Sequence, residues 1–259
     1  MVDTLLVTKL RLHTLIYSKA DLEAVPAAER TFFLMATSVA NDTQALNKTL
    51  AIILQTAEGN HRIINQGNSA YGFLILRLIA GRLNEAWKVI RKNKDMIEKH
   101  YEGDLSSEAR EGLKALFAYF DHPKPGSLIW RVRDVAAFHH DERHVAAAFA
   151  SLDVDDDLGD YLHERVGNTL FYTTEVRQYE TLRNLAGTAD TAEAIKQLID
   201  DTRDQTTNFN SFIYGFTLVF AERYLSRSLA RLPDEFDELD VPVLTNLQLP
   251  YFSILPRKG

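Results

Sequence analysis

The chain of 259 residues contains no cysteine. Disulfide bonds, thiolate catalysis and zinc or iron–sulfur sites built on cysteine ligands are therefore excluded. Positive charge is also scarce, because 29 lysines and arginines stand against 36 aspartates and glutamates and leave a net charge of −7. This balance argues against a protein that binds nucleic acid over its whole surface, but it leaves room for a local basic patch.

Long apolar runs are missing as well. The longest runs, near residues 73–80 and 212–221, are about half as long as a membrane-spanning helix requires. Lys9, Arg11 and His13 interrupt any apolar core of a signal peptide near the start of the chain. Glycine-rich phosphate loops, a G-x-S-x-G elbow and a dinucleotide fingerprint are absent too. We therefore expect a soluble, cytoplasmic protein with no cofactor and no membrane partner.

Apolar residues recur at three- and four-residue spacing through most of the chain, which predicts helices. The clearest stripe lies between Ala27 and about Thr56 and consists of Phe32, Met35, Val39, Leu46, Leu50 and Ile53. A second helix is predicted over about 63–99, with Arg77 among the charged residues outside its apolar face. Further helices are predicted to end near residue 120 and to cover 127–150, 158–166, 170–185, 191–202 and 209–232. Residues 4–17 fit either a strand or a helix.

These patterns predict an all-α bundle of about six to eight helices, since no strand–helix alternation is visible. The character of the sequence changes at Pro233, after which Pro242, Pro250 and Pro256 lie among apolar and aromatic residues. We predict a single all-α domain over residues 1–232. An extended, proline-containing C-terminal tail over residues 233–259 is predicted to pack on the bundle.

Ionisable side chains concentrate in one segment that follows Ser127, a natural helix N-cap. It contains Arg131, Arg133, Asp134, His139, His140, Asp141, Arg143 and His144. On an ideal α-helix, residues seven apart nearly eclipse, which places Arg133 over His140 with His144 a further turn along. An imidazole that titrates near neutrality can transfer protons, and a guanidinium can bind phosphate. The two groups together suit phosphodiester cleavage that needs no metal ion.

This segment resembles the motif of the HEPN family. Arg133 is followed by His139 after five intervening residues and by His140 after six, and both spacings fit the motif. That motif is an arginine, a polar residue and then a histidine, on a late helix of an all-α bundle. The resemblance implies a helical domain, often a homodimer, whose paired motifs form one metal-independent RNase site. Many members act in toxin–antitoxin or phage-defence systems, so RNA, a second copy and a protein antitoxin or regulator are the partners it implies.

The resemblance also implies roles for individual residues. Arg133 would bind phosphate, while His139 or His140 would handle the proton or the 2′-hydroxyl. Asp134 stands where the family usually has asparagine or another polar residue, and its charge would repel a phosphate. The same segment offers candidate substrate-binding residues: Arg131, Asp134, Arg143 and His144.

Two other interpretations use the same residues. In the first, Arg131 and Arg133 pair with Asp134, Asp141 or Asp42 and only brace helices, so that the protein is a non-catalytic interaction or scaffold protein. Exposure separates this interpretation from the catalytic one, because braces are buried among partners while a working site is accessible.

In the second, the dyad His140–Asp141 resembles that of HD-type metal-dependent phosphohydrolases. Only His122 and the cluster Asp153–Asp157 are available as further ligands for it. His140 and His144 also lie four apart, as in HExxH zinc helices, but no third ligand is evident. We assign no metal ligand.

Overall fold

The computed structural model describes residues 7–56, 61–121, 127–137, 142–156, 158–164 and 166–254. Ten α-helices lie in these ranges: α1 (Lys19–Glu23), α2 (Ala27–Gln55), α3 (Arg62–Lys92), α4 (Lys94–His100), α5 (Ser107–Phe120), α6 (Leu128–Val132), α7 (Glu142–Ala150), α8 (Tyr172–Ala186), α9 (Thr191–Tyr224) and α10 (Ser226–Leu229). A π-helical turn spans Arg133–Ala137, and 3-10 turns span Val166–Asn168 and Leu244–Asn246. The described strands, β1 (Val7–His13) and β2 (Phe236–Pro242), form one antiparallel pair. The predicted all-α class is confirmed.

The described residues form two compact units. Unit 1 contains those within 1–44, 85–122 and 204–246, and unit 2 contains those within 45–84, 123–203 and 247–259. Helices α2, α3 and α9 contribute residues to both units. The segment predicted as one tail is also divided, since residues 233–246 belong to unit 1 and residues 247–254 to unit 2.

The core of unit 1 is rich in phenylalanine. Helix α9 places four phenylalanines at spacings of three and four residues, and all four are fully buried: Phe209, Phe212, Phe216 and Phe220. The ring of Phe216 meets Phe32 of α2 edge-on, with 4.8 Å between centroids, while Phe220 stacks on Phe33 at 4.3 Å. Burying an aromatic side chain of this size stabilises a fold by about 1.5–3 kcal/mol. This aromatic stripe therefore fixes which face of α9 packs against α2.

Helices α5 and α9 approach each other closely at Gly112. A Cβ atom at this position would lie 2.5 Å from the backbone oxygen of Asn208. That distance is below van der Waals contact, and the neighbouring atom is backbone, which cannot rotate away. Gly112 therefore permits the helix contact, whereas a Cβ atom on Gly103 would meet nothing within 4 Å.

A buried carboxylate on α2 accepts hydrogen bonds from residues at the C-terminal ends of α4 and α9. Glu29 Oε2 accepts hydrogen bonds from the hydroxyls of Tyr101 and Tyr224, the second at 2.8 Å. Burial, and then the hydrogen bond to Glu29, raise the pKa of Tyr101. The phenol is thus held in its protonated form, in which it donates to the carboxylate.

Within residues 4–17, which fit either a strand or a helix by sequence, the described residues Val7–His13 form strand β1 and pair with β2. Leu10 pairs with Leu239 in its register, and Lys9 and Arg11 both reach Glu238, at 3.6 and 3.1 Å. These ion pairs are solvent-exposed, so they contribute little to stability. The alternation of apolar and charged residues in β1 is the period-2 pattern of a strand.

The core of unit 2 is formed where α3, α6 and α8 meet. Its buried side chains include Phe73, Leu76, Ile79, Leu128, Ile129, Val132 and Leu182. Residues 247–254 are held by hydrogen bonds from the backbone N–H of Leu249 to Thr56 Oγ1 and from that of Tyr251 to Asn68 Oδ1, both 3.1 Å.

Candidate functional site

The segment from Ser127 to Ala150 begins as predicted but does not continue as one α-helix. Ser127 Oγ accepts a hydrogen bond from the backbone N–H of Trp130 at 3.2 Å and so caps α6. After five residues α6 gives way to the π-helical turn, and α7 begins at Glu142. The described residues of the predicted helix are therefore helical, but Arg133–Ala137 are π-helical rather than α-helical.

The π-helical turn changes the geometry expected of the motif. Its hydrogen bonds run from residue i to i+5, so the rotation of about 100° per residue does not hold through it. The expected eclipse of Arg133 and His140 was calculated from that rotation. His139, His140 and Asp141 lie outside the described residues, so their geometry relative to Arg133 stays a prediction.

Arg131 is half-buried and is engaged with the backbone of α8. Its Nη1 donates a hydrogen bond to the backbone oxygen of Leu185, near the end of α8. The last carbonyl groups of a helix have no partner within the helix, and a guanidinium is a suitable donor for them. Arg131 therefore braces α6 against α8, through a backbone carbonyl group where the bracing interpretation named carboxylate partners.

Arg133 occupies the junction of α6 and the π-helical turn and is paired with its neighbour. Its Nη1 lies 2.9 Å from Asp134 Oδ1, and the side chains of the two residues are 23% and 42% exposed. The guanidinium is therefore partly accessible, but a phosphate that approached it would have to share it with the Asp134 carboxylate.

Arg143 and His144 lie in the first turn of α7, and both are exposed. Negative groups are favoured near the start of a helix, because the first backbone N–H groups point outward there. The first turn of α7 therefore presents an exposed guanidinium and an exposed imidazole beside the acidic side chain of Glu142. Five of the seven predicted site residues are described. Arg143 and His144 are exposed, and Arg133 and Asp134 are partly exposed. Arg131 is engaged with the backbone of α8.

Sequence reasoning missed the residue that anchors the π-helical turn. Arg77 of α3 was predicted to lie outside the apolar face, but it is only 7% exposed. Its Nη1 donates to the backbone oxygen of Ala136 at 3.0 Å and to Gln178 Oε1. Its guanidinium also lies 5.0 Å from the centre of the Phe73 ring. The signal in the sequence was the four-residue spacing from Phe73, which places both side chains on one helix face.

A series of hydrogen bonds between polar side chains extends from Arg77 into α8. Gln178, whose Oε1 accepts from Arg77, donates through Nε2 to Glu175 Oε1 at 3.3 Å. Burial raises the pKa of Glu175, and the positive charges of Arg77 and Arg177 oppose that rise. Burial lowers the pKa of Arg77, which the Glu175 carboxylate opposes. These hydrogen bonds join α3, α8 and the π-helical turn.

The alternative interpretation as a metal-dependent site gains no support from the described residues, in which no group of three or more histidines, aspartates or glutamates is arranged to hold a metal ion. His122, His140, Asp141 and Asp157 lie outside this part of the chain. Within the same ranges, no helix is both long and apolar enough to cross a membrane.

No family model, characterised protein or solved structure matches the chain significantly. What this site can do chemically therefore follows from its own residues. They offer a partly exposed guanidinium at Arg133, an exposed imidazole and guanidinium at the start of α7, and a rigid support on α3 and α8.

Proposed function

We propose that the protein binds RNA and cleaves it without a metal ion, through the segment from Arg131 to His144. The observation that carries this proposal is the π-helical turn that begins at Arg133 and is anchored by buried Arg77. Such turns are rare and often occur at functional sites, because they re-aim side chains that a regular helix would direct elsewhere. Here the residue at the start of the turn is the arginine of the HEPN-like motif.

The chemistry follows from the residue types. Arg133 binds the phosphate and stabilises the negative charge that develops on it. His139 or His140 takes the proton of the ribose 2′-hydroxyl, whose oxygen then attacks phosphorus. The bond from phosphorus to the 5′-oxygen breaks, and that oxygen takes the proton that the histidine removed from the 2′-hydroxyl. The products are a 2′,3′-cyclic phosphate and a free 5′-hydroxyl, so no water or metal ion enters this step.

A homodimer is part of the proposal, because paired motifs form one site in the family that the sequence resembles. A protein antitoxin or regulator is proposed as a further partner on the same basis. Light scattering coupled to size-exclusion chromatography tests the dimer directly. A monomer at the concentrations used for cleavage assays would contradict this part of the proposal.

A second function is favoured by the engaged side chains. Arg131 donates to Leu185 O, and Arg133 pairs with Asp134 at 2.9 Å. If these pairs are braces alone, the protein is a non-catalytic interaction protein, and RNA is not its substrate. The two functions differ in whether Arg133 can exchange its carboxylate partner for a phosphate.

The experiment is incubation of the full-length protein with total RNA in the presence of a chelator. Three variants are compared with the unmodified chain: Arg133→Ala, His139→Ala and His140→Ala. Arg110→Ala, at an exposed position of α5, is the matched control for loss of a surface arginine. We expect cleavage with chelator present, its loss in Arg133→Ala and in one histidine variant, and full activity in the control.

Cleavage that persists in all three variants would remove the proposed site. Cleavage that the chelator abolishes would favour a metal-dependent phosphohydrolase. If RNA is neither cleaved nor bound, the interaction protein becomes the better conclusion.

A further inference from the structure

The chain contains two tryptophans, and their surroundings differ. Trp87 of α3 is 5% exposed and packs against the rings of Phe117 and Phe120, with centroids 4.8 and 5.5 Å away. Trp130 of α6 is 41% exposed. Exposure of one apolar side chain is common in folded proteins, so the position of Trp130 beside the motif is what gives it a role.

Helix α6 holds Trp130 in a fixed place. The other three apolar residues of this helix are at most 2% exposed and anchor it in the core of unit 2: Leu128, Ile129 and Val132. Arg131, the residue that follows Trp130, donates to the backbone oxygen of Leu185 in α8. The indole is therefore presented to solvent from a backbone that is already ordered, which lowers the entropic cost of binding a ligand on it.

Trp130 and Arg133 are neighbours on one face of the helix. The backbone N–H of Arg133 donates to the backbone oxygens of Ile129 and Trp130, so the chain is helical between these two positions. Side chains three residues apart on a helix are adjacent, with about 5–6 Å between their Cβ atoms. The half-exposed indole thus lies beside the partly exposed guanidinium to which the phosphate is assigned.

This pair of side chains matches the two groups of one nucleotide in kind. Proteins that bind single-stranded nucleic acid combine positive side chains that follow the phosphates with aromatic side chains on which unpaired bases stack. A base and its phosphate are joined through a single sugar, so they reach neighbouring side chains. In a duplex the bases are paired and stacked on one another, and their faces cannot reach an indole on a protein surface.

We propose that Trp130 is the surface on which an unpaired base stacks, next to the phosphate that Arg133 binds, and that the substrate is therefore single-stranded RNA. This inference rests on the proposed function, from which it takes the phosphate at Arg133. Every base has a face that can stack, so this contact selects unpaired strands without selecting the type of base.

The test measures binding of the full-length protein to a short single-stranded RNA by fluorescence anisotropy, with 2′-O-methyl groups on the RNA so that it is not cleaved. The variants are Trp130→Ala and Trp130→Phe, and Tyr214→Ala removes an aromatic side chain that is 70% exposed on α9 as the matched control. We expect Trp130→Ala to weaken binding about tenfold, as for the loss of one stacked base. Trp130→Phe should lose less, and the control should bind as the unmodified chain does.

Two further measurements separate stacking from a structural role. A series of oligonucleotides, each with one abasic position, should include one that binds the unmodified chain more weakly but binds Trp130→Ala as well as the intact oligonucleotide does. Indole fluorescence should be quenched by RNA in the unmodified chain. In Trp130→Phe the remaining emission comes from buried Trp87 and should not respond to RNA. Neither measurement in the unmodified chain depends on how well a variant folds.

The outcomes distinguish this inference from the proposed function. Equal binding of single-stranded RNA by Trp130→Ala and the unmodified chain, without quenching by RNA, would overturn the stacking surface and leave the RNA function standing. Binding of a duplex as tight as that of the single strand would also overturn it. Weaker binding that accompanies loss of the dimer in light scattering, with no effect of any abasic position, would assign Trp130 to a contact between two copies instead. If the unmodified chain binds no RNA, the proposed function fails and this inference fails with it.

Discussion

Replacing Arg77 with methionine tests whether the candidate site is supported as described. The substitution keeps a long side chain but removes the donors that hold Ala136 O and Gln178 Oε1. Each buried acceptor left without a partner costs about 1–3 kcal/mol. Relief from burying a guanidinium offsets part of this loss, while the buried Glu175 carboxylate loses a compensating charge.

The sum of these effects is a loss of about 3 kcal/mol in the free energy of unfolding, within the range for breaking a buried charge network. Arg77→Lys keeps the charge but not the forked donors, so its loss should be smaller. Arg110→Met removes an exposed arginine and should change stability by less than about 0.5 kcal/mol.

The assay is hydrogen exchange of the backbone amides, supported by urea unfolding. Exchange gives a local result, since it reports the opening of the π-helical turn as well as of the whole unit. We expect faster exchange within Arg133–Ala137 and in α8 for Arg77→Met, and unchanged exchange for Arg110→Met. If Arg77→Met has the stability and the exchange pattern of the unmodified chain, Arg77 does not anchor the turn.

Three other predictions follow from the structure. Asp134→Asn removes the carboxylate that competes with phosphate, so RNA should bind up to about fivefold more tightly, as an exposed ion pair is worth about 0.2–1 kcal/mol; weaker binding in a filter assay would contradict the competition. Because the pKa of Tyr101 is raised by burial and by Glu29, its contribution to stability is present below about pH 10 and is lost as the pH rises further. Thermal melts from pH 8 to 11 should show a shallower alkaline loss for Tyr101→Phe, and an unchanged slope would refute this. Gly112→Ala should destabilise unit 1 by about 1–3 kcal/mol through overpacking, while Gly103→Ala, with open space around it, should not; equal melting temperatures for the two variants would refute the close helix contact.

The long helices could be predicted because their apolar stripes are strong and local. The stripe of α2 gave its bounds to within a residue or two, and the phenylalanines of α9 marked its buried face. The continuity of α9 was missed, however, since two helices over 191–202 and 209–232 were predicted instead of one over Thr191–Tyr224. The intervening residues are polar, which weakens the periodic pattern, but they include no glycine or proline to end a helix.

Non-local contacts explain the main errors. The helix predicted over 158–166 is wrong for residues 158–164, where Tyr161 instead pairs with Leu170 through two backbone hydrogen bonds of 2.8 Å. The π-helical turn is hydrogen-bonded to Arg77, which lies 59 residues before Ala136 in the sequence. A local sequence pattern holds no information about so distant a partner. The predicted alignment of Arg133 with His140 therefore assumed a regular α-helix. The arginine and histidines of the segment can be read from the sequence, but the contacts of Arg77 that support it cannot.

The measurement that tests the account most directly is photo-crosslinking of the full-length protein to single-stranded RNA that contains 4-thiouridine, followed by mass spectrometry of the crosslinked peptides. We expect crosslinks in the segment 127–150, lost when Arg133 is replaced by alanine and stronger when Asp134 is replaced by asparagine. Crosslinks that fall only outside this segment, or that persist unchanged in Arg133→Ala, would contradict an RNA site at the π-helical turn.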